Sequence, residues 1–179
     1  MKKIIVTLSA LLLAVSGFAQ SDVITKLFDT YYDDENFTKI SVSSKMFELF
    51  TEIEPGDKDE EEILRAISKL EGLKVLAADS VENSRQMFDD VVARISSSGF
   101  EELMEVKDAE EDMKFLIMDK NGKISELVMV VGGRKHFVVM TLYGEIDLKS
   151  ISKLSKSLNI EGMEHLEHMS DEQCGKKES

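Results

Sequence analysis

His165, His168 and Met169 fall at i, i+3 and i+4, so a helix would set all three on one side, and Cys174 follows five residues later. Imidazole, thioether and thiolate together suit Cu(I), zinc or another soft cation. Two of the three histidines in the chain sit in this stretch. The same residues also read as an ordinary solvated helix, because Glu161 with His165 and Glu164 with His168 form i, i+4 pairs. Their spacing follows no established ligand motif, and a chain end holds ligands loosely. Soft-metal binding through His165, His168, Met169 and Cys174 is therefore the alternative reading. No cofactor is expected.

Other chemistry fails sooner. Asp119-Lys120-Asn121-Gly122 starts like a calcium loop, but Lys123 and Ile124 follow where a ligand and a glycine belong, and Val130 replaces the bidentate glutamate. A hairpin turn accounts for it. The acidic runs 33–35 and 57–62 are explained by helix-end electrostatics. The chain has no G-x-S-x-G, no phosphate-binding glycine loop and no C-x-x-C. His136 opens a strand, alternating with Val138 and Met140, as an edge or half-buried histidine would. No catalytic residue can be named, and a hydrolase is only the second alternative. Lys149, Lys153 and Lys156 make a basic stripe opposite Ile151, Leu154 and Leu158. On an acidic protein such a stripe suits docking to a partner, or simply a solvated face.

The elements that must position these residues follow from periodicity. Ser21 caps a helix carrying Val23, Ile24, Leu27 and Phe28, and residues 37–43 alternate as an edge strand. Met46, Phe47, Leu49 and Phe50 make a short helix that Pro55-Gly56 stops. Asp57 and Glu60 form a capping box before a helix with Ile63, Leu64, Ile67 and Leu70, closed at Gly72. Residues 73–78 are an inner strand, and Ser80 caps a long helix that ends at Gly99.

Beyond Phe100 the period becomes two. Strands are expected at 100–106, 114–118, 124–131 and 136–142, with Asn121-Gly122 and Gly132-Gly133 as hairpin turns. Asp147 then caps a helix through Leu158, followed by a short helical piece to about Met169 and a polar tail, 170–179. The fold class is α+β: one layered domain, residues 20–169, in which two helix-separated strands join an antiparallel meander of about four strands. Residues 115–118, 127–131 and 137–140 are apolar on both faces. Helices must cover both sides of this meander, or a partner or second copy must cover one.

Residues 1–19 read as an export signal. Lys2 and Lys3 precede an apolar stretch, and Gly17-Phe18-Ala19 sets small residues at −3 and −1 before Gln20. The apolar stretch is shorter than the 20 or so residues of a membrane span. Its removal takes the formal charge from −13 to −15, which disfavours nucleic acid and leaves no integral membrane segment. The destination is the periplasm, with full secretion the other outcome of the same signal. Cys174 is the lone cysteine, so no intrachain disulfide staples the domain.

The ending Phe18-Ala19-Gln20 resembles that of exported proteins of the Bacteroidetes. The stretches 37–43 before Met46-Phe47, Leu73-Lys74-Val75-Leu76, and Gly144-Glu145-Ile146-Asp147-Leu148 resemble the DUF4252 family over nearly the whole mature chain. These are packing and capping patterns, so the resemblance carries no site residues across. It implies a link to envelope signalling; with no catalytic motif in the chain, the expected function is a non-enzymatic binding or interaction protein. Its surfaces are expected on the apolar sheet and the terminal helices, with a protein partner or a second copy as occupant.

Overall fold

Among the helices described from end to end, only the one after Asp57 starts at a side chain that takes a free backbone N–H; Ser21, Ser43 and Asn83 stand at the other starts without a side-chain cap hydrogen bond. The computed structural model describes residues 21–149 apart from Ile53, Asn121 and the Asp59 side chain. The expected leader, the chain beyond Lys149 and the tail lie outside the described residues. Helix α1 (Asp22–Thr30) follows Ser21 and buries Ile24 and Leu27. Strand β1 (Phe37–Ser43) runs directly into α2 (Ser44–Phe50). Helix α3 (Lys58–Ile67) begins with the expected box: Asp57 Oδ1 accepts from the Glu60 N–H at 2.9 Å, and Glu60 Oε2 accepts from the Gly56 N–H at 2.6 Å. After β2 (Leu70–Ala78), α4 (Ser84–Ser96) buries Met87, Phe88, Val91 and Ile95, and Gly99 follows it at φ 89°.

Strands β3 (Glu101–Lys107), β4 (Glu111–Lys120), β5 (Lys123–Gly133) and β6 (Phe137–Ile146) form the expected meander. All six strands make one sheet, in the order β1-β2-β6-β5-β4-β3, and every pairing is antiparallel. The returning strand β6 thus lies in the middle and joins the meander to the β1–β2 pair. One face carries Leu76, Val128, Val130, Phe137 and Val139 beneath α1 and α4. The opposite face carries Met113, Phe115, Leu127, Val131 and Leu142, with Phe47 of α2 and Leu148 packed against it. The α+β single-sheet expectation is what the chain adopts.

Four local expectations need correction. Ser21 stands at the start of α1, but its side chain makes no cap hydrogen bond. Helix α3 stops at Ile67, and Leu70 already opens β2, because Leu70 pairs with Gly144 of β6. Gly72 is therefore a strand residue; the Tyr143 ring lies where its Cβ would go. Ser80 does not cap α4. The Val81 N–H is taken by the Lys135 carbonyl at 2.7 Å, Ser80 turns at φ 65°, and the helix starts after Asn83. Gly132 and Gly133 lie within β5, and Arg134-Lys135 makes the turn. A Cβ on Gly132 would lie 2.5 Å from that of Phe88, so this glycine serves helix–sheet packing.

Candidate functional site

Apolar residues stay exposed where the fold runs out of helix to cover them. Paired positions on the face opposite α1 and α4 form a row across the whole sheet: Ile40, Val75, Met140, Met129, Phe115 and Met104. Phe115, in the meander, is fully buried, whereas Ile40, on the outer strand, is 48% exposed. The next row begins Val42, Leu73, Leu142 and Leu127. Helix α2 lies beside this edge and buries none of its residues. Its Phe47 packs inward, while Met46, Leu49 and Phe50 are 40–51% exposed. Together with Ile40 they form an apolar surface continuous with the core beneath.

The two edges of the sheet differ in a telling way. Strand β3 carries Glu101, Glu102, Glu105 and Lys107 on its outer edge, the usual guard against further pairing. Its neighbour Lys114 bridges Glu102 and Glu105 at 2.9 Å each, and these carboxylates raise the ammonium pKa. Strand β1 has one charge, Lys39, whose ammonium donates to the Asp34 carbonyl at 2.6 Å. Among the described strands, β1 therefore offers an open row of backbone donors and acceptors flanked by Ile40, Val42 and α2.

The expected site residues divide between described and undescribed chain. His165, His168, Met169, Cys174, Lys153 and Lys156 lie outside the described residues. Lys149 is exposed, and its N–H donates to Asp147 Oδ1 at 3.1 Å, the expected cap of a helix that starts at Leu148. Among the described residues no group of three or more His, Cys, Asp or Glu side chains could hold a metal ion. Asp119 Oδ1 accepts from the Gly122 N–H at 2.8 Å, and Asp34 Oδ1 accepts from the Asn36 N–H at 2.9 Å. Both carboxylates serve turns. His136 Nε2 lies 2.9 Å from Glu111 Oε2 on a half-exposed flank of the sheet.

One chemically unusual group was invisible in the pattern. Glu126, on β5, is only 3% exposed and faces the layer of α1. Thr141 Oγ1 donates to its Oε1 at 3.0 Å, and the Ser21 N–H donates to Oε2 at 3.1 Å. Burial pushes its carboxyl above the ordinary range, opposed by hydrogen bonds from Ser21 and Thr141 and by the charge of Lys120. The sequence does carry one signal: Ser125 and Glu126 interrupt an otherwise apolar inner strand. The exposed β1–α2 surface also had a signal, since Met46, Phe47, Leu49 and Phe50 spread around too wide an arc for a seven-residue helix to bury.

No helix among the described residues is long and apolar enough to cross a membrane. The family model of DUF4252, a domain of unknown function, matches residues 31–154. No curated protein and no solved structure matches the chain.

Proposed function

The chain belongs to the DUF4252 family, and from that premise we propose an exported, non-enzymatic binding protein of the cell envelope with a link to envelope signalling. It takes a protein partner on the β1–α2 surface and works from the periplasm. The observation that carries this reading is the exposure of Ile40, Met46, Leu49 and Phe50 beside an unguarded sheet edge. An extended partner segment that adds to β1 gains main-chain hydrogen bonds from the edge and buries these side chains for specificity. Lys149, with Lys153 and Lys156 further along the sequence, gives a basic element that helps orient an acidic partner. Export is supported by Lys2, Lys3, the apolar stretch after them and Gly17-Phe18-Ala19.

A photo-reactive residue at Leu49 or Phe50, expressed in the native cell, tests the surface against a control at Glu61 on α3. The expected result is a discrete adduct from the first two positions and none from Glu61. Equal labelling from all three, or none, would overturn the reading. Sedimentation of the purified protein separates a second copy from a different partner.

A further inference from the structure

Three of the four arginines in the chain hold a carboxylate: Arg65 with Glu61 at 3.1 Å, Arg85 with Asp112 at 3.3 Å and Arg134 with Glu110 at 2.9 Å. Arg94 is the exception. Among the described residues, neither its guanidinium nor the Lys26 ammonium has an ion pair or a hydrogen bond, although the chain carries 35 acids against 22 basic residues. Lys26 on α1 and Arg94 on α4 line the same cleft, a space of about 250 Å³ between the two helices. Its floor is the core itself, since Leu27, Val91 and Ile95 are buried and Val23 packs beside them. No acidic side chain among the described residues lines it.

The remaining polar groups of the rim are already committed. Thr30 Oγ1 donates to the Lys26 carbonyl at 2.7 Å. Ser97 Oγ donates to the Arg94 carbonyl at 2.8 Å, and Ser98 Oγ donates to the same oxygen at 3.0 Å. These bonds occupy helix-end carbonyls whose partial negative charge would otherwise oppose an anion. What remains for a ligand is one ammonium and one guanidinium above an apolar floor.

Such a cleft matches a molecule with one carboxylate and one alkyl tail. A guanidinium takes a carboxylate through two parallel N–H donors, and the ammonium on its flexible stem adds a second positive charge. The tail would cover Val23, Leu27, Val91 and Ile95, where each methylene taken out of water strengthens binding. Volume sets its length: at roughly 30 Å³ per water-sized group, the space takes about eight such groups. We propose that the α1–α4 cleft binds a free medium-chain fatty acid of about eight to ten carbons, its carboxylate held by Lys26 and Arg94. The cleft lies in the layer opposite Ile40 and α2, so it stands independently of the partner surface.

The test is a titration of decanoate into ¹⁵N-labelled protein in low salt near neutral pH, followed by NMR and calorimetry. Amide shifts should concentrate in residues 23–30 and 91–98 and saturate with a Kd below about 1 mM. Decanol keeps the tail without the charge and acetate keeps the charge without the tail; each should bind at least about tenfold more weakly. Lys26→Gln with Arg94→Gln removes both charges at exposed positions. That variant should melt within about 2 °C of the parent and lose at least about tenfold in decanoate affinity. The absence of saturable binding, shifts centred on Ile40 and α2, equal binding of decanol or acetate, or an undiminished affinity in the folded double variant would each overturn the proposal. The comparison with decanol and acetate needs no substitution, so it decides the matter even if the variant does not fold.

Discussion

Replacing Thr141 by valine removes one hydrogen bond and almost nothing else. Thr141 is fully buried, and its Oγ1 donates to Glu126 Oε1 at 3.0 Å, so the added methyl occupies the volume of the lost hydroxyl. A hydrogen bond to a charged group contributes about 1.5–3 kcal/mol, and the carboxylate left behind keeps only the Ser21 donor. For a chain of this size that is a fall of roughly 3–12 °C in melting temperature. The loss should depend on pH in a definite direction. Burial raises the folded carboxyl pKa above the ordinary 4.5, so between the two values the folded state holds a proton that the unfolded state has released. Glu126 therefore favours folding most below about pH 4.5, and its contribution falls as pH rises through the folded value. Thr141→Val raises that folded value further. The deficit should be smallest in acid and grow as the pH rises from 4 to 8. Thermal unfolding of both proteins across this range measures it. A deficit independent of pH, or below about 0.5 kcal/mol throughout, would refute the picture of a buried carboxylate held by Thr141.

Gly144→Ala should cost about 2–4 kcal/mol in chemical denaturation, because Gly144 has φ 133° and a Cβ there would lie 2.5 Å from the Lys69 carbonyl oxygen. Asp57→Ala should cost about 1 kcal/mol by removing the acceptor of the Glu60 N–H, and Asp57→Asn should restore most of it. The Glu145 carboxyl, held down to about 2 by hydrogen bonds from Lys123 and Lys69, supports folding above the ordinary 4.5 and loses that support as pH falls toward 2. An NMR titration in low salt should find it near that value, and 1 M NaCl should move it back up. Leu49→Lys should change the melting temperature by no more than about 2 °C, since the side chain is 51% exposed, while abolishing any adduct formed from the photo-reactive residue at Phe50.

The order of elements was legible because each depends on neighbours in sequence. Asp57 and Glu60 cap α3 within four residues, the alternation of β1 needs only its own seven residues, and the spacing of Met87, Phe88, Val91 and Ile95 shows the buried side of α4 before its partner is known. Where a local pattern misled, a distant partner had won. Leu70 fits a helical stripe by spacing but pairs with Gly144, and Ser80 has the chemistry of a cap but the Val81 N–H goes to Lys135. Gly132-Gly133 looks like a turn, yet Gly132 is needed because Phe88 packs onto it.

The sequence by itself determined the α+β class, the acidity, the apolar character of both meander faces and the absence of any catalytic motif, because all of these are sums or short-range patterns. Only the tertiary structure decided that β6 lies between β2 and β5, which makes β1 an outer strand and leaves Ile40 and α2 beside an open edge. It alone decided that, among the described acids, Glu126 is the carboxylate taken out of water and set against Ser21, 105 residues earlier in the chain. Strand order and the fate of a single acid depend on which distant surfaces meet, and local propensity carries no record of that.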